Sequence, residues 1–232
     1  METVIIKQDR SIIPSCDVSS LEELRNMVRQ TADVKGVGAY KIGFELGLQF
    51  GIPTVVDTIR KITSLPIIYD HQKGATDIPD VAEKFARAVN GVDAVILFPV
   101  MGPETQKSFI TACKKAKLGV IVGGDMTHPA FLKKEGGYIS DDAPLRIYEL
   151  AASLGIVDFV VPGNKPDKCI EYHDLISKTI KDPIYYSPGL ITQGGDINEL
   201  SSKLKSWHAI IGRAIYESND MKKAAEEFSK NL

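Results

Sequence analysis

Eight short apolar runs recur along this chain, one about every 25 residues, and each is followed by a polar segment of helix length. That rhythm constrains the fold more than any other feature. Parallel strands cannot be joined by a tight turn, so alternating strand and helix patterns imply a parallel sheet with helical crossovers. The runs lie at residues 12–17, 38–42, 67–70, 94–98, 119–124, 158–161, 184–187 and 209–211. They are rich in Val and Ile and apolar on both faces, as strands covered on both sides should be. Helical patterns fill residues 21–31, 47–65, 78–90, 103–116, 143–154, 167–178, 197–205 and 221–232. Ser19 or Ser20 ahead of Leu21-Glu22-Glu23, and Asp141-Asp142 ahead of Ala143, are helix-start signals. No Pro/Gly/Ser-rich linker divides the 232 residues. The expectation is an α/β fold: one domain over residues 1–232, closed into a (β/α)8 TIM barrel, an architecture of about 250 residues.

A formal charge of −2 provides no field to draw nucleic acid or an anionic membrane. Lys114-Lys115, Lys133-Lys134 and Lys222-Lys223 read as solvated helix faces. Cys16, Cys113 and Cys169 are odd in number and far apart, which suits reduced thiols rather than a disulfide framework. The N-terminus shows no basic segment and apolar stretch of a signal peptide, and no run is long enough to span a bilayer. A cytoplasmic location is expected.

The chemistry-bearing residues sit where the apolar runs end, and strand ends at one mouth are where such a barrel builds its site. The first exit carries Asp17, the second Lys41, and the third Asp70, Lys73 and Asp77. The fifth carries Asp125 and Thr127, the seventh Ser187-Pro188-Gly189 and then Gln193-Gly194-Gly195-Asp196, the eighth Gly212-Arg213. A lone Asp after a strand is more often a helix cap. Several charges of alternating sign at one end of one barrel are not explained that way. Carboxylates flanking a lysine keep it protonated against burial. Such a lysine suits stabilising a carbanion and then protonating it, and suits Schiff-base chemistry poorly. Asp70 and Asp77 could instead hold Mg²⁺, but Lys73 already supplies positive charge there. Gly194 and Gly195 would let backbone N–H groups approach an anion, and Arg213 could add a bidentate pair, so the last two exits read as a phosphate site. Two long connections, residues 127–142 and 190–196, are expected to be functional loops.

Taken together these segments resemble the orotidine 5′-phosphate decarboxylase family over nearly the whole chain. The matching stretches are Ser15-Cys16-Asp17-Val18, Tyr40-Lys41-Ile42-Gly43, the segment 70–79, Asp125-Met126-Thr127-His128-Pro129, Ser187-Pro188-Gly189 with Gln193-Gly194-Gly195-Asp196, and Ile211-Gly212-Arg213-Ala214-Ile215-Tyr216. The resemblance implies decarboxylation of orotidine 5′-monophosphate to UMP without metal or cofactor, by a homodimer. It implies that Asp17 holds the ribose and that Lys41 links the ribose to the charge array. Asp70 would face the substrate carboxylate, Lys73 would donate the proton, and Asp77 would come from the partner subunit. Thr127, where the family has a serine, would contact the pyrimidine. Pro188, Gln193, Gly194, Gly195, Gly212 and Arg213 would line the substrate and phosphate sites. His128 reads as a loop-packing residue. The family's Asp-x-Lys-x-x-Asp-Ile is here Asp70-x-x-Lys73-x-x-x-Asp77-Ile78, so the extra residue before Lys73 must be absorbed by a bulge or an early strand end, with Gly74 helping the following segment to turn. Val81 stands where the family usually has a threonine. The alternatives are a Mg²⁺-dependent sugar-phosphate decarboxylase or aldolase of the same superfamily, and a non-catalytic phosphate-ligand-binding barrel.

Overall fold

Each apolar run folds as a strand whose alternate residues serve two different cores. In this computed structural model, residues 4–71, 74–189 and 204–230 are described. The strands are β1 (Arg10–Cys16), β2 (Tyr40–Gly43), β3 (Ile67–Asp70), β4 (Ala94–Leu97), β5 (Gly119–Gly123), β6 (Asp158–Val160), β7 (Ile184–Pro188) and β8 (Ser206–Ile211). All pair in parallel in chain order, and β8 closes on β1 through Ile13 opposite Ile210. Outward residues such as Ile12, Tyr40, Ile67, Val95 and Val122 pack against the helices in the larger apolar core. Inward residues such as Ile13, Ile68, Ile96, Ile121 and Val160 fill the barrel, joined by Ile5 and Ile6 from the segment before β1. Residues two apart share a face, and that period sorts each strand between the cores.

The helices form the outer ring: α1 (Leu21–Thr31), α2 (Phe44–Phe50), α3 (Ile52–Arg60), α4 (Ala82–Ala88), α5 (Pro103–Lys115), α6 (Ala143–Ser153), α7 (Pro166–Ile176), α8 (Arg213–Tyr216) and α9 (Met221–Lys230). At the start of α1 the Glu23 N–H donates to Ser20 Oγ, a cap whose loss costs about 1 kcal/mol. That helix buries Leu24, Met27 and Val28, each stabilising by roughly 1.5–3 kcal/mol.

Three expected helices differ. The one expected over 47–65 is two, because Gly51 takes φ 78° and ends α2, and Pro53 then suits the first turn of α3. The one expected over 78–90 opens with the 3-10 turn Pro79–Val81 before α4 begins. Of the helix expected over 197–205, residues 197–203 lie outside the described residues, and Leu204 and Lys205 are not helical. There β8 begins three residues earlier than expected, at Ser206, because Trp207 and His208 are fully part of the ladder with β1. All three cysteines are buried, and burial pushes each thiol up to about 12, which leaves them unreactive. Among the described residues, no helix is long and apolar enough to cross a membrane.

Candidate active site

Register places the charges. Lys41 lies opposite Ser15 on one side and Ile68 on the other, so these three share one inward layer. Two residues further along, Asp17, Gly43 and Asp70 occupy the next layer toward the strand ends. The Lys41 stem crosses from the lower layer to the upper, and its Nζ sits 3.5 Å from Asp17 Oδ1 and 3.3 Å from Asp70 Oδ2. Gly43 makes the space: a Cβ there would lie 2.9 Å from Asp17 Oδ1. Ser15 Oγ donates to Asp17 Oδ2 at 2.7 Å and fixes the carboxylate from below. The Lys41 side chain is 5% exposed. Burial, the largest influence, pulls its pKa down, but Asp70 and Asp17 outweigh it and the net shift is upward. Lys41 is therefore a held cation, and it fills the gap between two carboxylates that a divalent ion would otherwise need.

A cavity of about 660 Å³ opens above this array at the C-terminal ends of the strands. Thr127 and Pro129 from the β5 exit, Pro188 and Gly189 from β7, and Gly212, Arg213 and Tyr216 from the β8 exit line it. Ile96, Phe98 and Val160 supply an apolar wall. Phe98 reaches its place because residue 123 is glycine; a Cβ there would be 2.6 Å from the ring. His128, expected only to pack the loop, packs its ring 5.9 Å from Phe131 and also lines the cavity.

Of the two expected ways to absorb the extra residue, a bulge or an early strand end, the described residues show β3 ending at Asp70, with added length before the next bond to β4. Asp93 N–H donates to Ile67 C=O, a separation of 26 positions, whereas Phe98 N–H donates to Gly74 C=O, a separation of only 24. Between these two bonds the chain is thus two residues longer on the β3 side than on the β4 side. Gly74 is pressed onto β4, where a Cβ would meet Ile96 C=O at 2.8 Å, and Ala75 takes φ 64°. Lys73 itself, with Gln193, Gly194 and Gly195, lies outside the described residues. Asp77 is exposed and does not line its own barrel's cavity. Its Oδ1 accepts from the Ile78 N–H, and its carbonyl accepts from Thr105 Oγ1.

Some of the site was missed in the sequence. Asn164 lines the cavity, and Lys165 beside it reaches Asp125 and Glu135, both at 3.1 Å. Neither stands directly at a strand end, and their partners are at least 30 residues away. The signal was faint: an Asn-Lys-Pro triplet that looks like an ordinary helix start.

A parallel (β/α)8 barrel with a buried ammonium clasped between carboxylates at its C-terminal mouth defines an enzyme class built on this face of the barrel. The profile of the Orotidine 5′-phosphate decarboxylase / HUMPS family matches residues 10–228. The chain belongs to that family. It is 29% identical to the orotidine 5′-phosphate decarboxylase of Methanococcus maripaludis over 194 residues, covering 83% of this chain and 84% of the relative. It is 28% identical to that of Methanocaldococcus jannaschii over 203 residues, 86% and 89% of the two chains. A crystal structure of the Methanocaldococcus jannaschii orotidine 5′-monophosphate decarboxylase complexed with inhibitor BMP superposes with a TM-score of 0.84 at 26% identity, covering 96% of this chain and 98% of that one.

Proposed function

We propose that this protein is an orotidine 5′-phosphate decarboxylase, a carboxy-lyase of pyrimidine biosynthesis that converts orotidine 5′-monophosphate to UMP and CO2. The observation that carries the reading is Lys41 held charged between Asp17 and Asp70 at the mouth of a closed barrel, in a family whose curated relatives carry that name. The substrate's C6 carboxylate faces Asp70, and their repulsion is relieved as the bond from C6 to the carboxyl carbon breaks. The electron pair stays on C6, the Lys73 ammonium stabilises it and protonates it, and CO2 leaves. Asp17 and Lys41 hold the ribose, and Thr127 and Pro188 border the heterocycle. Gln193, Gly194, Gly195, Gly212 and Arg213 bind the phosphate. No metal or other cofactor takes part. The protein works as a homodimer in the cytoplasm, with Asp77 entering the partner's site; its exposure and its place outside its own cavity support that assignment.

The test is to mix the purified protein with orotidine 5′-monophosphate and follow the ultraviolet absorbance of the pyrimidine. The expected trace falls to that of UMP, and a chelator leaves its rate unchanged. A flat trace from folded protein refutes the assignment, and loss of activity in chelator points to a metal-dependent enzyme instead.

A further inference from the structure

Thr127 is the one proposed contact to the heterocycle that stands on a long connection rather than on a strand, so something must hold it. That connection runs from Gly124 to Asp142 and contains a 3-10 turn, Lys133–Glu135. A single side chain from the neighbouring connection ties it at two points. Lys165 Nζ lies 3.1 Å from Asp125 Oδ1, just before Thr127, and 3.1 Å from Glu135 Oε1 in the turn beyond it. The Asp125 side chain is wholly buried, and its other oxygen accepts from Tyr172 OH at 2.7 Å. Its Oδ1 also accepts from the Met126 N–H at 2.7 Å. Next to Lys165, Asn164 Nδ2 donates to the Thr127 carbonyl at 2.9 Å. The Lys165 bond also draws the Glu135 carboxyl below its usual range.

Lys165 does not line the cavity, so it reaches a bound molecule only through what it holds. A structural ion pair needs one carboxylate; here the ammonium bridges the two ends of the segment that carries the cavity-lining Thr127. We propose that Lys165 is a positioning residue for the decarboxylation, clamping Asp125 to Glu135 so that the Thr127 hydroxyl is presented to the pyrimidine at a fixed place. The proposal rests on the functional reading above. Its consequence is that the β6–α7 connection, which carries no reacting group, sets part of the rate, because small misplacements of an orienting group cost large factors.

The experiment is a double-mutant cycle on the intact enzyme. Lys165→Met and Thr127→Val should each lower kcat/KM by about tenfold, and the double variant should be no worse than the poorer single one. Lys165→Arg should recover most of the loss. A purely structural Lys165 would lower the melting temperature while leaving the two effects multiplicative, and that result overturns the proposal. If Lys165→Met does not fold because Asp125 is left buried without its cation, Asp125→Asn/Lys165→Met removes both charges and replaces it in the cycle. If the wild type does not turn over orotidine 5′-monophosphate, the functional reading has failed by itself. The same cycle is then read in the Kd of UMP, where additive effects reject the clamp on Thr127 and non-additive effects uphold the clamp while its role in decarboxylation falls with the functional reading.

Discussion

The mouth and the floor of the barrel both bury polar side chains, yet they treat charge in opposite ways. At the mouth, Lys41 is flanked by Asp17 and Asp70 and its pKa rises despite burial. On the floor, His208 sits wholly buried with Nδ1 2.8 Å from Ser11 Oγ, its ring 5.0 Å from Tyr186 and its Nε2 without a partner among the described residues. Burial pushes it down to about 4, so it stays neutral. Tyr186 turns its hydroxyl to Asp158 instead, at 2.8 Å. The same inward alternation thus clasps a cation between carboxylates at the mouth and leaves a lone imidazole neutral on the floor. Countercharge, rather than depth, decides which ionic state a barrel layer holds.

The contrast breaks most visibly at the mouth. Lys73→Ala and Asp77→Asn homodimers should each be nearly inactive. If Asp77 serves the partner's site, co-refolding the two should restore about a quarter of wild-type turnover, since half of the dimers are mixed and half of their sites are intact. No recovery on mixing would place Asp77 in its own subunit's site.

Lys41→Met comes next. It leaves Asp17 and Asp70 without their shared cation, and kcat/KM should fall by roughly 10²–10³. Circular dichroism separates this from unfolding; unchanged turnover would make the array as inert as the floor. Gly74→Ala should destabilise by about 1–3 kcal/mol, because its Cβ would press on the Ile96 carbonyl. Its kcat should fall along with its melting temperature if the fit of Gly74 on β4 positions the residues before it.

The smallest effect belongs to the floor and should appear in stability alone. Below its ordinary 6.5 the histidine of the unfolded chain takes up a proton that folded His208 resists until about 4. His208 therefore contributes stability that is full above pH 6.5 and is lost as the pH falls toward 4, on the order of 3 kcal/mol in all. Melting temperatures across that window should decline less steeply for His208→Gln, with kcat at neutral pH unchanged. A parallel decline in both proteins would mean that other groups set the acid sensitivity.

Much of this was legible in the sequence, because the barrel is written in a repeat and the array in a two-residue period. Asp17, Lys41 and Asp70 follow apolar runs, and topology alone brings strand exits together. The split at Gly51 was not legible, since Gly and Pro two positions apart also occur within one kinked helix. The early start of β8 was hidden because Ser206, Trp207 and His208 do not look like an inward-and-outward apolar strand until Ser11 supplies a partner. Lys165 was hidden for a deeper reason. Nothing in Asn164-Lys165-Pro166 announces a partner 40 residues earlier, and only the neighbouring of β5 and β6 creates the pair.

The two surplus residues between β3 and the pairing at Gly74 bear on how this protein can be rebuilt. A chimera trimmed by two residues would regain an even count against β4 but would put another residue where only a glycine fits against the Ile96 carbonyl. The stretch from Asp70 to Ala75 therefore behaves as a cassette, exchangeable whole together with the glycine that lets it lie on β4, and not in parts.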